Sequence, residues 1–188
     1  WWWLNMRWIR DEEFIRGKIP MTKFDARIAA IAALEIEKGD TLLDVGAGTG
    51  SISIEAALQG ATVFAVEAQE EGTNLIRQNA LKFKVDIEII NKHAPHGLEK
   101  ISGFNKCFIG GSGGKLRQIF EHVNEKMPSG GIIAANFITL KNLNEFMVLL
   151  NHYAYEDIEL KLIQVSYMEN AGIIKSQNPI FLARGRKP

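Results

Sequence analysis

Seven residues, Asp44-Val45-Gly46-Ala47-Gly48-Thr49-Gly50, followed 17 positions later by Glu67, carry the clearest chemistry in this sequence. They come at the end of an apolar run and open a helical stretch. Glycines at such a strand-to-helix turn admit positive φ and let the backbone lie close against a ligand. The spacing is Gly-x-Gly-x-Gly, not the Gly-x-Gly-x-x-Gly of a pyrophosphate cradle. An aspartate two residues before the first glycine would repel a phosphate and attract the ammonium of an amino acid. Glu67 ends the next apolar run, where a carboxylate can accept from both hydroxyls of a ribose. A nucleoside bearing an amino-acid arm meets all three features, and S-adenosylmethionine is such a molecule. The expected cofactor contacts are Asp44, Gly46, Ala47, Gly48, Thr49, Gly50 and Glu67.

These residues need a sheet to present them, and the rest of the chain supplies one. From about residue 25, short β-rich runs alternate with amphipathic helical stretches. Strands are expected at 41–45, 62–66, 86–90, 106–109 and 131–136, with helices at 26–34, 52–59, 70–83, 115–127 and 140–152. Apolar strands separated by helices imply a parallel sheet covered on both faces. Two closing strands, 157–167 and 178–184, have no helix between them and are joined through Glu169-Asn170-Ala171-Gly172. A hairpin at the sheet edge follows. The expected fold class is therefore α/β, a Rossmann-like class I S-adenosylmethionine-dependent methyltransferase. Its sheet should have seven strands, mostly parallel, with a C-terminal antiparallel hairpin. Residues 20–188 are expected to form one methyltransferase domain after an N-terminal tail, 1–19. Trp1-Trp2-Trp3-Leu4 is not followed by a signal-peptide core, so residues 1–5 read as artefactual and Met6 as the start.

Composition narrows the classes. Apolar residues make up 46% and charged residues 23%, and Lys+Arg and Asp+Glu are both 22. That balance disfavours a chain that binds nucleic acid through its whole surface. No apolar run approaches the roughly 20 residues of a membrane span. The one cysteine, Cys107, lies in an apolar strand and reads as a small core residue. A single cysteine fits a reducing, cytoplasmic setting. No metal site is expected, because His93 and His96 flank Pro95 with no further ligands nearby.

Three further segments resemble a known family. Pro20-Met21-Thr22-Lys23, Phe108-Ile109-Gly110-Gly111-Ser112-Gly113-Gly114 and Asn178-Pro179-Ile180-Phe181 look like the decarboxylating precorrin carbon-15 methyltransferases of cobalamin biosynthesis. The likeness runs from about Asp11 to Arg184. It implies methylation of carbon 15 of cobalt-precorrin-6B, coupled to loss of the carbon-12 acetate carboxylate. It implies that Thr22 touches S-adenosylmethionine, that Gly46 to Gly50 surround its methionine part, and that the Ala94 backbone meets the adenine. His93 stands where the family more often has an acid that holds the adenine amino group. The family also implies a homotetramer.

Gly110, Gly111, Ser112, Gly113 and Gly114 replace the Asn/Asp-Pro-Pro-Tyr loop that holds a planar amine, which argues against amino-methylation. The run leaves room for a flat macrocycle and exposes N–H groups to its carboxylates. Cations should meet the same arms. Lys23 is the first choice, with Arg27, Lys115 and Arg117 also near the site. Asn136, at the end of a strand, either contacts the tetrapyrrole or caps the following helix. Asn178-Pro179-Ile180-Phe181 faintly resembles the amine-holding loop but reads as an edge strand that tolerates proline. No catalytic triad is visible, and none is needed, because the conjugated substrate absorbs its own electrons. Alternatives remain open: a tRNA adenine-N1 methyltransferase, or a non-catalytic S-adenosylmethionine-binding subunit. The former would want a basic face and an added RNA-binding domain. A nicotinamide oxidoreductase is disfavoured by the glycine spacing and the hairpin.

Overall fold

The computed structural model describes residues 7–188, apart from the side chain of Ala171. The readings of Trp1 to Asn5 and of Met6 lie outside the described residues. Strand β1 (Thr41–Val45) is central and runs parallel to β2 (Thr62–Glu67) on one side and β4 (Lys106–Ile109) on the other. Beyond β2 lies β3 (Glu88–Asn91), and beyond β4 lies β5 (Ile132–Phe137), both parallel. The remaining strands are β6 (Glu156–Ile163), β7 (Ser166–Met168), β8 (Ile174–Ser176) and β9 (Ile180–Arg186). The seven-stranded order is β3-β2-β1-β4-β5-β9-β6, and β9 is antiparallel to both neighbours.

Two expectations about the hairpin are corrected. The last strand is not the edge: β9 lies between β5 and β6, and β6 is outermost. The hairpin is also in two parts, a stem β6–β9 and a separate ribbon β7–β8. The stem ladder stops at Ile163–Ile180. Pro179, which has no N–H to donate, lies just before β9 and marks the break. The ribbon resumes where the Gln177 N–H donates to the Val165 carbonyl at 2.9 Å.

Alternate side chains of each strand enter opposite cores, as the pleat requires. Leu43, Val45, Cys107, Ile109, Ile133 and Ala135 meet α4 (Leu116–Lys126) and α5 (Leu140–His152). Leu42, Val63, Phe108, Ile132 and Ala134 meet α1 (Phe24–Leu34) and α2 (Ser51–Leu58). Helix α3 (Glu70–Phe83) packs beside α2. Cys107 is a fully buried member of the first core, and burial raises its thiol pKa well above the usual value. Residues 9–19 lie before the expected domain start, yet Ile9, Phe14 and Ile19 are buried. Ile9 and Phe14 close a small core with Ile54 of α2. No helix among the described residues is long and apolar enough to cross a membrane.

Candidate functional site

Parallel strands β1 and β4 end side by side at Val45 and Ile109, at the C-terminal rim of the sheet, and each is followed by a glycine run. The two runs touch. A Cβ on Gly46 would come within 2.5 Å of the Gly111 carbonyl oxygen and 2.6 Å of its nitrogen. Gly46 also has φ +72°, which an L side chain resists. The Gly110 N–H donates to the Val45 carbonyl at 2.9 Å, and the Gly46 N–H donates to Val66 at 2.8 Å. Gly46 and Gly110 are thus explained largely by this crossing, where a Cβ on Gly110 would stand 3.0 Å from the Gly46 carbonyl oxygen, whereas a Cβ on Gly111 would meet only the Gly46 Cα at 4.0 Å. Gly113 and Gly114 have positive φ and nothing within 4 Å, and of the two only Gly113 borders the cavity at this rim.

Asp44 is buried at the end of β1. Its Oδ2 accepts from Ser53 Oγ of α2 at 2.6 Å, while Oδ1 is buried with no partner. Burial, then the charge of Glu67, pushes its pKa up to about 7 against the pull of the Ser53 hydrogen bond. Glu67 ends β2 and is also buried. Its Oε2 accepts from the Gly48 N–H at 2.8 Å and its Oε1 from the Gln69 N–H at 2.9 Å. A carboxylate has about four lone-pair sites, so each oxygen keeps one for a ligand hydroxyl. Asn91 ties the same corner by donating to the carbonyls of Glu67 and Ala68 at 2.9 and 3.1 Å. Gly72 of α3 lets Glu67 pack there, since a Cβ would lie 2.6 Å from Glu67 Cγ.

These residues wall a cavity of about 1040 Å³. It brings together Thr22, Lys23, Asp44, Gly46, Ala47, Gly48, Glu67, His93, Ala94, Gly110, Gly111, Ser112, Gly113 and Asn136. Three expected residues are not on the wall: Thr49, Gly50 and Gly114. After Gly48 the chain dives into α2, and Thr49 is buried with its carbonyl taken by Asn79. Gly50 packs against Ile76 of α3. Two of the four proposed cations are also misplaced. Arg27 is fully buried under the N-terminal segment, and Arg117 pairs at 3.8 Å with Glu121 and at 4.0 Å with Glu145. Lys115 and Lys23 do line the cavity, and so does Lys92, which the sequence reading missed. Asn136 is not a helix cap. Thr139 caps α5, and Asn136 keeps a buried Oδ1 with no partner.

Asn142, Gln177, Asn178 and Ile180 line the cavity too. Asn178 belongs to the motif read as a plain edge strand, so that reading is corrected. Among the described residues, the only carboxylates on the wall are Asp44 and Glu67, both at the β1–β2 side. The β4–β5–β9 side offers Lys115, three asparagine amides and exposed glycine backbone. Among the described residues, no three His, Cys, Asp or Glu side chains group to hold a metal.

Residues 13–182 match the family model described as the precorrin methyltransferase domain. This chain belongs to the precorrin methyltransferase family. A relative of this methyltransferase from Pyrobaculum aerophilum is named probable cobalt-precorrin-6B C(15)-methyltransferase (decarboxylating). It is 36% identical over 185 residues, covering 95% of this chain and 85% of the relative. The Salmonella typhimurium cobalt-precorrin-6B C(15)-methyltransferase (decarboxylating) is 33% identical, covering 95% of this chain and 96% of its own. The crystal structure of precorrin-6y C5,15-methyltransferase from Geobacter metallireducens superposes with a TM-score of 0.91 at 30% identity, over 96% and 97% of the two chains. The precorrin methyltransferase therefore has the class I methyltransferase fold expected from its sequence, with the antiparallel β9 inside the sheet.

Proposed function

We propose that this chain methylates carbon 15 of a late (cobalt-)precorrin with S-adenosylmethionine and couples this to decarboxylation of the carbon-12 acetate arm, in cobalamin biosynthesis. One observation carries the reading: a single cavity joins the Asp44–Glu67 corner to a wall that has lysine and amide groups but no carboxylate. The first half suits the donor. Asp44 Oδ1, buried without a partner, fits the methionine ammonium, and Glu67 keeps one lone pair on each oxygen for the ribose. Thr22, Gly46, Ala47 and Gly48 close around the methionine arm, and His93 and Ala94 border the adenine. The second half suits a flat polycarboxylate. Lys23 and Lys115 meet its arms, Gly110, Gly111, Ser112 and Gly113 lie along its face, and Asn136 and Asn178 offer amides.

Bound there, S-adenosylmethionine supplies a reactive methyl group on sulfur. The chain's contribution is alignment: an electron-rich ring carbon needs no strong base, and fixing the two partners removes the entropic share of the barrier. We assign no catalytic base and no metal. The acceptor is a small tetrapyrrole, with neither nucleic acid nor membrane as partner, and the setting is cytoplasmic. We also read residues 20–188 as one methyltransferase domain and the working molecule as a homotetramer. The outermost strand β6, with Leu160 and Leu162 exposed, supports assembly at that edge.

The deciding experiment incubates the protein with methyl-labelled S-adenosylmethionine and cobalt-precorrin-6B and follows both methyl gain and carbon dioxide release. One equivalent of each is expected. Turnover on transfer RNA with none on cobalt-precorrin-6B would overturn the assignment.

A further inference from the structure

The outer wall of the donor cavity is not part of the sheet. Residues 9–23 pack as a strap against α1, α2 and α3, bonded to Arg27, Glu55, Glu71 and Asn79, and its last five residues, Ile19 to Lys23, line the cavity. The strap lies against the glycine loop: a Cβ on Gly48 would stand 2.9 Å from the Pro20 carbonyl oxygen. Two fully buried polar side chains hold it. Arg27 of α1 donates to the Thr22 carbonyl at 3.0 Å, to Asp11 Oδ1 at 2.9 Å, to Glu55 Oε1 at 3.2 Å and to the Ile9 carbonyl. Its guanidinium also sits 4.7 Å from the centre of the Phe14 ring. Asn79 of α3 treats Ile15 as a neighbouring strand. Its Oδ1 accepts from the Ile15 N–H at 2.7 Å, and its Nδ2 donates to the Ile15 carbonyl at 3.0 Å. The same Nδ2 donates to the Thr49 carbonyl at 3.1 Å. One amide thus ties the strap to the glycine loop.

For packing alone, apolar side chains would serve as well or better than a buried cation. Arg27 and Asn79 add direction. Each fixes particular main-chain carbonyls, and two of these, Thr22 and Thr49, flank the donor end of the cavity. Neither side chain reaches the cavity itself. We infer that Arg27 and Asn79 are positioning residues for donor binding, acting through the strap and the glycine loop rather than on the donor. This rests on the S-adenosylmethionine reading above. A strap that is docked only part of the time lowers apparent affinity by the docked fraction. Once the donor is bound the wall is complete, so the chemical step is unchanged.

The test uses Arg27→Lys, which keeps the charge but cannot span four partners, and Asn79→Asp, which keeps the acceptor and removes both donations. Binding of S-adenosylhomocysteine is measured by calorimetry, and kcat and KM by turnover of cobalt-precorrin-6B. A docked fraction of about one tenth would weaken Kd on the order of tenfold. The donor KM should rise in step, with kcat at saturating donor held within about twofold. Val123→Ala, in the core on the opposite face, is the control: it should lower Tm and leave Kd unchanged. Folded Arg27→Lys and Asn79→Asp proteins with the original Kd would overturn the inference, as would a fall in kcat at constant KM. Should neither variant fold, hydrogen exchange on the unaltered protein decides. Amides of residues 21–23 should slow with S-adenosylhomocysteine, and no change there at saturation overturns the inference. Failure of the unaltered protein to bind S-adenosylhomocysteine at all would instead remove the donor assignment.

Discussion

A buried carboxylate with one oxygen hydrogen-bonded and the other bare is held ready for a cation. With its pKa pushed up to about 7, Asp44 in the free protein is increasingly protonated as pH falls below that value. A bound ammonium favours the ionised form, so binding below about pH 7 must release a proton. Donor Kd is therefore expected to weaken between about pH 8 and 6, and Asp44→Asn should flatten the profile. Calorimetry across that range checks this, and a flat profile for the unaltered protein would sink it. Gly46 is a second single point of failure. Gly46→Ala puts a methyl group against Gly111 and forces a non-glycine residue to φ +72°. The backbone conformation alone should cost about 1–3 kcal/mol, seen as a lower Tm, and the clash should add to it. At this scale the sequence was legible where the chemistry was contiguous. Asp44, Gly46, Gly48 and Glu67 sit where the spacing placed them. Lys92, Asn142, Gln177 and Gly72 were not found, because they come from separate segments that only the fold unites. Thr49 and Gly50 were over-read: adjacency to the loop did not reveal that the chain turns away into α2 after Gly48.

Elements were read with similar strengths and gaps. The helices fall close to their expected spans because α3, α4 and α5 each have an apolar face at helical spacing and α1 and α2 are largely apolar runs ended by helix breakers, and the parallel strands because their runs are short and apolar. The hairpin was harder. Length does not say which strand lies inward, since β6 and β9 are comparable, but charge does: Glu156, Asp157, Glu159 and Lys161 mark β6 as the outer strand beside the apolar Ile180-Phe181-Leu182-Ala183 of β9, a cue the sequence reading did not use. The answer is set by pairing with β5, a contact between distant segments. One result is that the exposed edge belongs to β6. Its outward ladder is unpaired, and Leu160 and Leu162 add apolar surface. If the proposed homotetramer forms through this edge, Leu160→Lys with Leu162→Lys should yield a smaller species in analytical ultracentrifugation and leave the far-UV spectrum unaltered. An unchanged mass would place the interface elsewhere.

Across the whole molecule, two carboxylates make stability respond to acid in opposite ways. Glu35 follows α1 and joins Arg184 and Arg186 of β9, at 2.5 and 2.8 Å. Hydrogen bonds from Arg184 and then Arg186 hold its pKa down to about 2 from 4.5. Its contribution is present above pH 4.5 and is lost as pH falls toward 2. Asp44 works the other way: raised from 3.8 to about 7, it disfavours folding progressively as pH climbs between those values. Thermal melts should show Asp44→Asn losing part of the gain in Tm on acidification from pH 7 to 4.5, and Glu35→Gln losing part of the fall below 4.5. The reverse pattern would refute both assignments. Neither group's shift could be read from a sequence with equal numbers of acids and bases, because it depends on which neighbours the fold delivers. The contact between Gly46 and Gly111 has a consequence of the same long-range kind. The two loops share one van der Waals boundary, and it is residue 46, not residue 111, that has no room for a side chain. A hybrid that takes the 44–50 loop from a relative with a bulkier residue at 46, without a 108–114 loop that makes room for it, should fail to express as folded protein. The pair moved together should be tolerated, making the crossing the natural unit for redesigning acceptor choice.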